Sequence, residues 1–296
     1  LLLVSMAGVK LVLLSLFVGY TVNYFYRSES MNPELVRGKR VLITGSSTGI
    51  GEQIAYEFAQ MGAHIMLTAR RHQRLQEVAN QCLKLGAASA DYVASDMGNL
   101  TSAQYVAQET VKKLGGLDYL VLNHIGGSAS FGFFKGDMDP VVGSITINFL
   151  SYVQLTSTAL RALQESQGSI VVMSSMSGRI GAPFTTSYCA SKFALEGFYS
   201  SLRREFDLQK NNMSVTVAIL GYIDTENAVK KVGNKVTMTA SSKEDCAREV
   251  VKAAVLRRPE LFYPYWGIKP IVLLRDWFPG LVAKFLDKFY ILENIQ

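Results

Sequence analysis

After residue 38 the chain alternates between short, nearly uninterrupted apolar runs and longer segments of mixed apolar and polar residues. The short runs are "RVLITG" (40–45), "HIMLTAR" (64–70), "DYVASD" (91–96), "DYLVLNH" (118–124), "GSIVVMSS" (168–175) and "SVTVAILG" (214–221). Continuous rather than alternating apolar character predicts strands covered on both faces, as in a parallel sheet. Segments 50–62, 73–85, 101–114, 138–165 and 188–209 have helix length. Strands alternating with helices predict one doubly wound α/β domain over residues 39–262.

The two ends break this rhythm. Residues 1–26 carry one charge, Lys10, and the run "LVLLSLFVGYTVNYFY" (11–26) would extend roughly 24 Å as a helix. That is slightly short of a hydrocarbon core of about 30 Å, and the residues before Lys10 make up the difference. Tyr20, Tyr24, Phe25 and Tyr26 cluster at one end, like an interfacial aromatic belt. No small-residue cleavage site follows, so an uncleaved signal-anchor is expected, with a removed signal peptide and secretion as the alternative. Residues 27–38, with Ser28, Ser30, Asn32, Pro33 and Gly38, read as a linker. Residues 263–296 are rich in aromatic and basic side chains. There Phe278, Leu281, Val282, Phe285, Leu286 and Phe289 form a helical stripe opposite Lys284, Asp287 and Lys288. Such a stripe faces a core or a dimer partner, or lies on a membrane surface near the substrate entrance.

Composition narrows the function. The chain has 296 residues, 49% hydrophobic and 18% charged, with net charge +6. A basic balance can mean nucleic acid, but there is no zinc-finger spacing, no RNP-like stretch and no long Lys/Arg block. A membrane surface or an anionic cofactor accounts for it better. Cys82, Cys189 and Cys246 are odd in number and far apart, which is neither a disulfide framework nor a metal site. Asn99 in "NLT" and Asn212 in "NMS" are glycosylation sequons that matter only in the secretory pathway.

The first predicted strand runs into "TGSSTGIG" (44–51), where a helix opens. Gly45, Gly49 and Gly51 suit a tight strand-to-helix turn with close backbone approach to a phosphate, as in a Rossmann-type sheet. A helix N-terminus there offers free N–H groups to an anion. At the end of the second strand an acid would take a ribose 2′-hydroxyl. The chain has Arg70 and Arg71 instead, and a guanidinium suits a 2′-phosphate, so the expected cofactor is NADP(H). Either arginine is alternatively a solvated loop charge.

Ser175 ends the fifth strand, and "YCASK" (188–192) sets Tyr188 and Lys192 four apart, on one face of a helix. Alone, the pair is more safely read as a solvated helix face. An ammonium beside a phenol, however, would lower its pKa from about 10 and fit it for proton exchange. Taken in order, "TGSSTGIG", "NH", Asn148, Ser175 and "YCASK" resemble the short-chain dehydrogenase/reductase family, and the wider sequence resembles its steroid-dehydrogenase subgroup.

The resemblance implies a ketone–alcohol oxidoreductase with an apolar, steroid-like substrate. Tyr188 would be the acid/base, Lys192 its tuner and ribose ligand, and Ser175 the hydrogen-bond donor to the substrate oxygen. Asn148 would hold a water in a proton relay; read from the sequence alone it is a polar residue that bends a helix. Ser47, Thr48, Ile50, Asp96, Met97, Asn123, His124, Ile125, Ile223 and Thr225 would complete the cofactor site. A homodimer in the endoplasmic reticulum membrane is implied as well, with a luminal catalytic domain and Asn212 glycosylated. "LNHIGG" after the fourth strand, "LG" after the sixth, Ala182 in place of an aromatic, and the loop 126–140 depart from the usual patterns and bear on substrate choice. A carbonyl or retinoid reductase, or a non-catalytic NADP(H)-binding scaffold, would share most of these motifs.

Overall fold

The computed structural model describes residues 6–127 and 131–295. Residues 1–5 of the expected anchor, residues 128–130 of the 126–140 loop, and the side chains of Tyr24, Phe25 and Tyr26 lie outside the described set. Two compact units are present, 1–32 and 33–296. The first contains helix α1 (Met6–Ser28), whose apolar side chains between Val9 and Tyr20 are exposed, Leu11 at 73%. Among the described residues no helix is long and apolar enough to cross a membrane.

The second unit is built on seven parallel strands. They are β1 (Arg40–Thr44), β2 (His64–Ala69), β3 (Ser89–Ala94), β4 (Tyr119–Leu122), β5 (Ser169–Met173), β6 (Ser214–Leu220) and β7 (Glu260–Tyr263), in the order β3-β2-β1-β4-β5-β6-β7. The first helices are α2 (Gly49–Gln60), α3 (His72–Lys84), α4 (Leu100–Leu114), α5 (Asp139–Ile145) and α6 (Ser151–Ser166). After them come α7 (Thr186–Leu208), α8 (Glu226–Val232), α9 (Lys243–Val255), α10 (Tyr265–Trp277) and α11 (Pro279–Asp287). Helix α2 lies against α3 and α9, and α4 lies against α6. β4 and β5 are buried along their whole length, as strands covered on both faces must be. Leu42, Leu120, Ile170 and Val217 of the sheet meet Tyr152, Leu155 and Tyr199 of α6 and α7 in one core. Each such aliphatic side chain contributes about 1.5–3 kcal/mol by leaving water. Strand order reverses between β1 and β4, which opens a crevice at their C-terminal ends, where doubly wound sheets bind ligands.

Four expectations change. The linker shortens: Pro33–Leu35 form a 3-10 turn, Val36 is fully buried, and Gly38 N donates to Gly62 O at 2.9 Å. The domain does not stop at residue 262, because β7 runs through Tyr263 and Ile268 of α10 is buried in the core. The single helix expected over 138–165 is two helices joined by a π turn, Thr146–Leu150. The C-terminal stripe does not face the core: Val282 is buried, but Leu281 is 67% and Phe285 48% exposed.

Candidate active site

The glycine turn between β1 and α2 is held open by backbone. Gly45 and Gly49 have φ of +64° and +67°, the left-handed region that favours glycine. A Cβ on Gly45 would stand 2.6 Å from His124 Cα, and one on Gly51 2.4 Å from both Gly45 O and Asn123 Nδ2. Thr48 caps α2 without a side-chain bond to its first amides, so these N–H groups remain available to an anion. Its hydroxyl is used otherwise: Arg71 Nη2 donates to Thr48 Oγ1 at 2.9 Å and to Ser47 Oγ at 3.1 Å. Arg71, not Arg70, therefore lies over the turn. Arg70 is exposed and makes no hydrogen bond or ion pair among the described residues. Ile50 sits in the first turn of α2, and a Cβ on Gly49 would meet Thr225 Cγ2 at 3.0 Å. Bare amides, a guanidinium and two hydroxyls make a cradle that fits a nucleotide phosphate.

Across the crevice, Asn123 Nδ2 donates to Thr44 O at 3.0 Å and to Gly45 O at 3.1 Å, tying β4 to the turn. The His124 imidazole is buried. Its Nε2 meets Ile147 O at 3.0 Å and Ser151 Oγ at 2.7 Å, and its Nδ1 meets Thr44 Oγ1 at 2.8 Å. A carbonyl can only accept, so the proton belongs on Nε2. Burial pulls this histidine down to about 3, and it is neutral. Ile125 is exposed, Met97 is buried, and Asp96 Oδ1 accepts from Gly98 N at the end of β3. Ile223 is buried and bridges to Ser241. Asn99 caps α4 by accepting from Thr101 N at 2.9 Å, a local reason for an asparagine in that sequon. Asn212 is exposed.

The structure brings Ser175, Tyr188 and Lys192 together at the ends of β5 and α7. Ser175 caps a 3-10 turn (Met176–Gly178), accepting from Ser177 N at 3.1 Å. Lys192 is 3% exposed; its Nζ donates to Met173 O at 2.7 Å and stands 5.6 Å from the rings of both Tyr188 and Tyr152. Burial pulls the ammonium down to about 7. Burial pushes the Tyr188 phenol up to about 12, and a hydrogen bond with Ser175 offsets this only in part. The net shift is opposite to the one expected from a neighbouring ammonium, because lost hydration dominates. Asn148 is fully buried in the π turn. Its Oδ1 accepts from Gly126 N at 2.9 Å, and its Nδ2 donates to Gly126 O and Ser144 Oγ. Both amide hydrogens are thus spent on protein, which fits a clamp on the loop after β4; neither is left to hold a water.

Sequence reading did not single out Thr44 or Tyr152. Tyr152 donates to His124 O at 2.6 Å and lies under Lys192; only its helical spacing marked it, and that reads as core. Beyond Ser175, a cavity of about 80 Å³ opens between Met176–Pro183 and α11, with Ala182 and Tyr290 in its wall. Phe184 meets Phe131 at 5.7 Å and Tyr290 at 5.3 Å between ring centroids. The final segment is stitched down, with Ile291 N donating to Lys235 O at 2.8 Å and Thr237 N to Phe289 O at 2.9 Å.

Residues 39–236 match the short chain dehydrogenase family. The chain is 90% identical over 291 residues to the hydroxysteroid 11-beta-dehydrogenase 1-like protein A of Xenopus laevis, covering 98% of this chain and 100% of that one. A short chain dehydrogenase of Burkholderia cenocepacia solved with NADP superposes with TM-score 0.67 at 26% identity, over 77% of this chain and 96% of its own. A Burkholderia phymatum short chain dehydrogenase/reductase solved with NAD shares the fold alone, with TM-score 0.72 at 18% identity, over 83% of this chain and 95% of its own. The glycine cradle, the Ser175–Tyr188–Lys192 cluster and these likenesses agree: the chain belongs to the short-chain dehydrogenase/reductase family of oxidoreductases.

Proposed function

We propose that the chain interconverts a ketone and a secondary alcohol on an apolar, steroid-like substrate, using NADP(H). The convergence of Ser175, Tyr188 and Lys192 beside the glycine cradle carries this reading. Bound nicotinamide would supply or accept the hydride. The protein manages the proton. A Tyr188 phenol near 12 is protonated at neutral pH, the form that donates to a ketone oxygen. Ser175 steadies that oxygen, and the Lys192 ammonium favours the phenolate left behind. Arg71, with Ser47 and Thr48, would take the 2′-phosphate, which favours NADP(H) over NAD(H).

The substrate wall around Met176, Ile180 and Val282 is apolar, and the near-identical relative bears a hydroxysteroid dehydrogenase name. This cavity, about 80 Å³, is smaller than the ~300 Å³ of ordinary ligand sites. That same observation favours a second reading, a carbonyl reductase acting on smaller ketones. Exposed apolar residues of α1, and Trp277, Leu281 and Phe285 of the last helices, support attachment to the endoplasmic reticulum membrane. A homodimer, as the family resemblance implies, is part of the same proposal. A luminal domain would carry glycan on exposed Asn212, and glycosidase treatment that leaves the mobility of the cell-expressed protein unchanged would refute this. Purified protein screened with 11-keto steroids and smaller ketones, each with NADPH and NADH, tests the main reading. Turnover of small ketones alone discards the steroid; equal use of NADH discards the cofactor choice.

A further inference from the structure

Helix α7 carries a carboxylate that the proton transfer does not use. Glu196 stands one turn beyond Lys192 on the same helix face and is 9% exposed. A buried carboxylate is costly unless paired. Its Oε2 is held by Arg179, with Nε at 2.9 Å and Nη2 at 2.8 Å. Arg179 follows the 3-10 turn that begins at Ser175. Its Nη2 also reaches Glu260 Oε1 of β7 at 2.5 Å, and Lys269 Nζ of α10 stands 3.8 Å from Glu260 Oε2. Arg275 of α10 donates to the Arg179 carbonyl. Within this frame Glu196 Oε1 and Ser174 Oγ are buried; burial pushes the Glu196 carboxyl up from its usual range, while Ser174 and Arg179 act against that. A Cβ on Gly178 would stand 2.9 Å from both Ser174 Oγ and Lys192 O, so turn and helix touch with nothing between them.

We propose that Glu196, clamped by Arg179, is a positioning residue that sets a carboxylate one helical turn from Lys192 and locks the Ser175 turn against α7. The consequence for turnover rests on the function proposed above. Lys192 gives up water and gains one carbonyl; Glu196, held as a carboxylate by the Arg179 guanidinium against its own burial, opposes the resulting loss of its proton. The other titratable groups around Lys192 are Tyr188 on its own helix, Tyr152 of α6 and His124 after β4. Burial keeps all three neutral at pH 7. Behind Glu196 stand Arg179, Glu260 and Lys269. A carboxylate beyond salt-bridge distance still acts on an ammonium in a dry interior, where the effective dielectric constant is well below that of water.

The titration of Lys192 can be followed without substrate or cofactor by NMR of the full-length protein labelled at lysine Cε, with the signal assigned from Lys192→Met. Glu196→Gln is expected to lower its midpoint by about one pH unit. At pH 7 that takes the ammonium fraction from about a half to about a tenth, so kcat on any ketone reduced falls about fivefold and the alkaline limb of the rate profile moves down by the same unit. Glu196→Asp, which keeps the charge, is expected to hold the midpoint within about 0.3 units. An unmoved midpoint in Glu196→Gln overturns the proposal. If that variant does not fold, a full-unit fall in Glu196→Asp overturns it equally. A shifted midpoint in a protein that reduces no ketone supports the positioning role and overturns the proposed function instead. Normal turnover with an unmoved midpoint does the reverse.

Discussion

On the β1–β4 side of the crevice the walls are mostly main chain: glycines at positive φ and open amides of α2, braced by the Asn123 side chain. Beyond α7 the walls are side chains gathered from distant segments: Phe131, Phe184, Ala182 and Tyr290. The first wall is fixed by backbone geometry and tolerates almost no substitution. The second is a side-chain packing solution that volume-conserving substitutions can rebuild. A common cofactor mechanism can thus be kept while the substrate changes.

The seam between the two sides gives the largest expected effect. Tyr188→Phe should lower kcat by about 10²–10⁴-fold in a steady-state assay while NADPH still quenches intrinsic fluorescence. Gly51→Ala breaks the backbone wall: its methyl meets Gly45 O at 2.4 Å, and overpacking of about 1–3 kcal/mol should weaken NADPH and NADH alike by about tenfold or more in a fluorescence titration. Ala182→Leu should do the opposite, changing KM for the ketone and leaving the NADPH affinity within about twofold.

His124 tests the junction by pH. Its folded pKa, near 3, lies below the unfolded value near 6.5, so the unfolded chain takes up the proton first. Stability present above pH 6.5 is lost as the pH falls, by about 2 kcal/mol at pH 5, and urea unfolding of His124→Gln should lack that slope. Arg71→Ala should weaken NADPH by about tenfold, equal to about 1.4 kcal/mol, and leave NADH unchanged. The smallest effect is expected from Tyr290→Ala, which removes an edge contact worth about 0.5–1.5 kcal/mol and should move Tm by a few degrees and KM by a few-fold.

The same contrast explains what could be read in advance. Six strands, the glycine turn and the Ser175–Tyr188–Lys192 spacing lie in contiguous stretches whose chemistry is local. Strand β7 was missed because "ELFY" is four residues long and becomes a strand only by pairing with β6. That Arg71 rather than Arg70 bonds to Ser47 and Thr48 depends on which way the chain turns after β2. Asn148 was legible as a special residue, but its partners Gly126 and Ser144 come from separate segments. The Glu196–Arg179–Glu260 chain joins three segments and left no pattern in the sequence.

Asn123, which braces the glycine turn through Thr44 O and Gly45 O, arrives on β4, and β4 pairs with β1 only after two helix–strand excursions through β2 and β3. The phosphate cradle is therefore a late product of folding, although its glycines lie in one stretch of eight residues. A newly made chain that has reached only β3 holds the motif but not its brace. Such long-range parallel pairing is slow, and until β4 docks the apolar edge of β1 is open to other chains.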